Sequence, residues 1–112
     1  MTLSTTIHDA STNGTPTGVL GESVYDTASF SGANSKFAPT TANVTYTFNT
    51  AAAGSGATSS TEGPLAAGNY TFQASFSGDS NYVAAVSANE PLSIAKGTVT
   101  LSTTIHLSLI HI

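Results

Sequence analysis

Three histidines, six carboxylates, two lysines and an abundance of hydroxyls (19 Thr and 16 Ser) are the main groups in this sequence through which chemistry could be done. His8 stands beside Asp9, a pair that could hold a metal weakly; at the end of a strand it reads as solvated. Nucleophilic catalysis by one of the serines would need a general base, and His8 would have to be it. No Gly-x-Ser-x-Gly elbow occurs to present such a serine. Asp79 and Asn81 could offer loop oxygens to calcium, but that ion takes about six to eight oxygens, and two residues do not supply them. Their expected role is in a turn, where Asp and Asn side chains bond nearby backbone amides. Glu62 and Glu90 are isolated and read as solvated. Asp26 is the exception, because strand alternation would point it inward. A buried carboxylate must be paired, hydrogen-bonded or neutral. It could promote a Lys–Asn isopeptide staple if a lysine faced it, yet Lys36 falls in a loop and Lys96 at a joint. Hydrogen bonding to a bulge or to nearby hydroxyls is the simpler reading. No catalytic, cofactor-binding or metal-binding residue is therefore expected, and the protein is not expected to be an enzyme.

The elements that would position these residues are β strands. Hydrophobic residues make up 39% of the chain but charged ones only 7%, far below the usual quarter. Thr favours strands, and Ser and Gly favour turns. Four Tyr and five Phe, spaced along 112 residues, are enough for one modest core. With a net charge of −4 and two lysines, the chain has no basic patch for nucleic acid or for an anionic membrane surface. It has no cysteine, so disulfides and thiolate metal sites are excluded. Nothing reads as a signal peptide or as a membrane-spanning run. The sequons at Asn13, Asn43 and Asn69 read as coincidences of a Thr-rich chain, two of them inside strands.

An internal repeat organises the chain. Thr2-Leu3-Ser4-Thr5-Thr6-Ile7-His8 recurs as Thr100-Leu101-Ser102-Thr103-Thr104-Ile105-His106, an offset of 98 residues. That offset is close to one sandwich domain of about 100 residues. The expected organisation is one unit over residues 2–96 and the first strand of a next unit over 97–106. Met1 stands where the second copy has Val99, as an internal GTG codon read as a start would give. Residues 107–112, Leu-Ser-Leu-Ile-His-Ile, are what CTG TCT CTT ATA CAC ATC would encode. That string resembles a transposase end sequence, so these six residues, His111 included, are expected to be an assembly artefact.

Strands are predicted over residues 2–8, 23–30, 43–49, 69–77 and 82–94, the last broken near Asn89 to Pro91. Period-2 alternation puts Val24, Asp26, Ala28 and Phe30 on one face. It likewise groups Val44, Tyr46 and Phe48, and sets Tyr70, Phe72, Ala74 and Phe76 inward. Residues 51–60 read as a loop with a short, weakly specified strand nearby. Pro91 points to an edge or a bulge. Short strands with turns between them and no helical period indicate a sandwich.

Leu65-Ala66-Ala67-Gly68-Asn69-Tyr70-Thr71-Phe72 resembles the tyrosine corner of immunoglobulin folds, with Gly68 and Tyr70 at the corner spacing. Phe72 takes the place where antibody domains carry a cysteine. Residues 70–82, ending Ser77-Gly78-Asp79-Ser80-Asn81-Tyr82, resemble bacterial immunoglobulin-like repeat domains of the group 3 type. So do residues 14–18 and 65–68. The resemblance implies an immunoglobulin-like antiparallel sandwich of about seven strands, used in tandem in large surface or secreted proteins. The long loop over 31–41 and the acidic Asp26 depart from that pattern. The expected function is a stalk or spacer, monomeric, extracellular and in contact with neighbouring repeats of its own chain. The alternative is an adhesive module contacting glycan or host protein through loops at one end, which exposed aromatics at Tyr25, Phe37 or Tyr82 would favour.

Overall fold

The computed structural model describes residues 1–106; the six residues read above as an artefact, 107–112, lie outside the described part. Strands form over β1 (Thr2–Asp9), β2 (Val24–Ser31), β3 (Val44–Phe48), β4 (Ala51–Ser55), β5 (Gly68–Phe76), β6 (Ala85–Val86) and β7 (Glu90–Ile94). One short 3-10 turn, Thr41–Asn43, precedes β3. The protein is an all-β antiparallel sandwich. One sheet pairs β1 with β2 over eight residues, from Thr2 opposite Ser31 to Asp9 opposite Val24. The other runs β4-β3-β5, with β6 and β7 sharing the far edge of β5.

Alternation decides which side chains meet between the sheets. Leu3 and Ile7 point in from β1, Val24 and Asp26 from β2, Val44 and Tyr46 from β3, and Phe72, Ala74 and Phe76 from β5. They form two clusters, one around Leu3, Val44, Tyr46 and Phe76, the other around Ile7, Val24, Phe72, Leu92 and Ile94. Phe48 packs against both. Each such side chain contributes about 1.5–3 kcal/mol when fully buried. Tyr70 is only half-buried, because it lies near the sheet end and stacks on Phe48 with ring centroids 5.3 Å apart.

Residues 51–60 are more ordered than the sequence suggests. Phe48 pairs with Ala51, so Asn49 and Thr50 form a two-residue hairpin loop with φ of 48° and 71°. Two positive φ values at the centre are the mark of a tight hairpin turn. The Asn49 side chain accepts the Thr71 N–H at 2.9 Å, pinning that turn to β5. Beyond β4, residues 57–62 cross to the first sheet and run along the free edge of β2. There Glu62 and Val24 exchange both backbone bonds, and Ser59 N–H reaches the Asp26 carbonyl at 2.8 Å. Small residues such as Ala51, Ala52 and Gly54 carry no alternation, so only the turn and the partner edges specify this strand.

The last strand starts later and breaks earlier than predicted. The Asp79 turn holds the chain through Tyr82, so β6 opens only at Ala85. Ser87 then makes the break. Its hydroxyl accepts the Ala74 N–H at 2.9 Å while its own N–H reaches the Ala74 carbonyl, which ends β6. Pro91 lies within β7, whose one strand partner is β5. An edge strand tolerates a residue that cannot donate.

The Tyr46 hydroxyl joins the sheets. It accepts the Ala28 N–H of β2 at 3.1 Å and donates towards the carbonyls of Gly56 and Ala57 at 3.0 and 2.9 Å. Burial pushes its pKa up to about 12, so it stays a donor. Tyr46→Phe leaves these groups short of a partner and is expected to cost about 1–3 kcal/mol in urea unfolding. Thr50→Gly relieves a β-branched residue held at positive φ and is expected to add about 1 kcal/mol on the same measurement.

Candidate functional site

The interior carries a polar seam. Thr5 and Asp26 occupy the middle of the inner faces of β1 and β2, between the residues that feed the two apolar clusters. Asp26 is fully buried, and among the described residues neither of its carboxyl oxygens nor the Thr5 hydroxyl has a hydrogen-bond partner. Burial raises the Asp26 pKa to about 7, and the negative charge of Glu90 adds to the rise; the neighbouring Thr5 hydroxyl offsets part of it. The Asp26 backbone is served: its N–H donates to Ser59 Oγ at 2.8 Å, and that hydroxyl donates to the Ser60 carbonyl. The sequence reading of Asp26 as an inward carboxylate thus holds, but hydroxyls bond its backbone and not its acid group. Lys36 and Lys96 are both exposed, in the loop before β3 and after β7. Neither occupies an inward-facing strand position.

His8 is half-buried on the outer face of β1, not solvated as expected. It stacks on Tyr25 at 5.2 Å, its Nε2 lies 2.9 Å from Thr27 Oγ1, and its Nδ1 lies 3.2 Å from the Asn13 carbonyl. A carbonyl only accepts, so this geometry places the proton on Nδ1. Asp9 caps the following turn, accepting the Ser11 and Thr12 N–H groups at 2.7 and 3.2 Å. His8 faces out and Asp26 faces in, so the two do not converge. No group of three His, Asp or Glu side chains among the described residues is arranged to hold a metal ion.

The two ends of the sandwich are built differently. At the end where β1 begins, Asp79 Oδ1 accepts the Asn81 and Tyr82 N–H groups at 2.8 and 2.9 Å, and its Oδ2 lies 3.4 Å from Thr40 N–H. Asn81 contributes its backbone, and its side chain is exposed. The Tyr82 hydroxyl accepts the Asn34 N–H at 2.7 Å and donates to the Phe37 carbonyl at 2.6 Å, which anchors the loop over 32–40. Of the three aromatics in question Tyr25 and Tyr82 are half-buried, while Phe37 is 55% exposed.

At the opposite end the chain leaves the sandwich. The Tyr70 hydroxyl donates to the Ala66 carbonyl at 2.7 Å, tying the loop before β5 to the strand. Gly68, at the start of β5, lies under that ring, and Phe72, two positions beyond Tyr70, is fully buried. Glu22 is buried here and accepts the Gly18 and Thr17 N–H groups at 2.9 and 3.0 Å. Gly18 in turn accepts the Ala95 N–H, and a side chain on Gly18 would strike the Ser93 carbonyl, 2.7 Å from the Cβ position. Leu20 stays exposed beside Gly97, and with the exposed Val19 it borders a recess of about 310 Å³. Sequence reasoning passed over Glu22, Ser59 and Ser87. A lone acid or hydroxyl in a Ser/Thr-rich chain gives no sign of which backbone N–H it will meet.

Asp26 sets a pH dependence whose sign follows from its raised pKa. Near pH 3.8 and below, folded and unfolded chains both hold the proton; from there to about 7 only the folded chain does. Its contribution to stability is therefore full in acid and is lost as pH rises through about 7. Asp26→Asn is expected to be more stable than the parent at pH 8 by on the order of 1–3 kcal/mol. That difference should shrink steadily towards pH 4; a constant difference would mean that the carboxyl is not sealed. No family model, curated protein or solved structure matches this chain.

Proposed function

We propose that this protein is a structural repeat, one unit of a tandem array that acts as a stalk or spacer in a bacterial surface or secreted protein. The carrying observation is the path of the chain. It enters beside Gly32 and residues 81–85, runs the length of the sandwich in β1, and leaves beyond Ile94 at the far end next to Gly18. A copy of the β1 sequence then follows within a few residues. Chain termini at opposite ends let units follow one another as a column, and a joint of the five residues 95–99, between Ile94 and Thr100, restricts their swing.

Further features support the reading. The pairing of β1, β2 and residues 57–62 on one side and β3, β5 and β7 on the other matches the immunoglobulin arrangement. The Tyr70–Ala66 bond is the one a tyrosine corner makes. Val19 and Leu20, exposed beside the joint, offer apolar surface that a following unit would cover. Low charge and a hydroxyl-rich surface suit an extracellular spacer, and no described helix is long and apolar enough to cross a membrane. One observation favours the second reading, an adhesive module: exposed Phe37 sits on a loop anchored by Tyr82, at the end away from the joint.

The test is small-angle scattering from a chain carrying residues 2–99 twice in tandem. The expected result is a rod whose maximum dimension is close to twice that of one unit. Val19→Asp with Leu20→Asp should loosen it into a broader distribution. A compact, side-by-side pair would overturn the spacer reading.

A further inference from the structure

The strand at the end of the described chain duplicates one that is already in place. In β1, Leu3 and Ile7 are each 6% exposed and lie in the core. Their counterparts in the second copy, Leu101 and Ile105, are 90% and 95% exposed, and residues 97–106 carry no strand pairing. Each unit thus has one β1 slot and two sequences that fit it equally over seven residues.

We propose that residues 100–106 are a donor strand for the β1 slot of a second copy of this chain, so that the unit can join head to tail by strand exchange. Register supports the exchange. With the offset of 98, Leu101 would lie opposite Phe30, Ser102 opposite Ser29 and Ile105 opposite Asp26, as their counterparts do in β1. Every inward contact and every ladder bond over these residues is reproduced.

Geometry directs the donor to another molecule. The tail leaves near Gly18, at the Asp9 end of β1, whereas Thr100 must reach the Ser31 end. The slot is about 23 Å long at roughly 3.3 Å per residue, and β7, from which the tail departs, comes within 8 Å of β1 at its closest. The six steps from Ile94 to Thr100 span at most about 22 Å. That is short of the roughly 24 Å diagonal that follows from this spacing. The chain's own tail cannot fill its own slot in this register, while a second copy meets no such limit. The contact is heterologous: each copy gives a strand at one end and receives one at the other, which builds a row or, where the rotation closes, a ring.

Affinity follows from the duplication. Resident and donor make the same contacts, so the tether of β1 decides between them. A short tether gives an effective concentration in the millimolar range. At about 0.1 mM chain, therefore, on the order of a tenth of the slots or fewer hold a donor. Weakening the resident alone shifts the balance. This rests on the repeat and the pairing, independently of the spacer reading.

Two measurements test it on the full 112-residue chain. Leu3→Asp with Ile7→Asp should convert a monomer to species of twofold and higher mass as concentration rises, read by light scattering. Adding Leu101→Asp and Ile105→Asp should restore the monomer. Should the first pair prevent folding, the otherwise unaltered chain can be trapped through Ser29→Cys with Ser102→Cys. The parent has no cysteine, and the Ser4 and Ser29 hydroxyls lie 3.0 Å apart in the resident pairing. Mild oxidation should then give a ladder linked 29 to 102 between copies. A monomer closed 29 to 102, linkage only 102 to 102, or assembly that survives loss of Leu101 and Ile105 would each overturn the proposal.

Discussion

The buried hydroxyl of Tyr46 is the interaction on which the sandwich depends. Two sheets pressed together by apolar contacts alone could slide, since burial has no direction. A phenol that takes an N–H from β2 and gives its proton to the chain at residues 56–57 fixes β3 against the opposite sheet. It also fixes where the chain turns back after β4, which lays residues 57–62 along the open edge of β2. Once that edge is covered, Asp26 is sealed from water.

The same economy recurs elsewhere. With few large apolar side chains, the fold leans on short polar ones to finish its backbone bonds. Ser59 and Ser87 each accept a strand N–H and donate to the carbonyl of the following residue, one in each sheet. Glu22 works by acceptance alone, gathering two N–H groups near the exit on its carboxyl oxygens. A hydroxyl-rich composition is thus more than a soluble coat. Asp26 is the exception, a polar group the fold encloses without satisfying, and the cost falls as soon as it holds a proton.

Much of the fold was legible, and the physical reason is alternation. Where large residues strictly alternate with hydroxyls, as at Val44, Tyr46 and Phe48 or Phe72, Ala74 and Phe76, only one register buries the right face. The inward placement of Asp26 could be read for the same reason. Residues 51–62 could not be, because Ala, Gly and Ser are neither clearly inward nor clearly outward. Their path comes from the Asn49–Thr50 turn and from the edges they meet, both non-local facts. His8 was misread because the sequence shows its neighbours along the chain but not Tyr25 and Thr27 on the paired strand.

Length and direction then bring the repeat into the mechanics of the molecule. The first strand runs from one end of the unit to the other, paired with β2 along its whole length. In the array proposed above, the copy of that strand just beyond the exit is what the next unit begins with. Whether the next unit lies in the same chain or in another, the slot and its contents are the same. Covalent continuity and strand exchange thus become two ways of filling one slot, distinguished by the tether and not by the contacts.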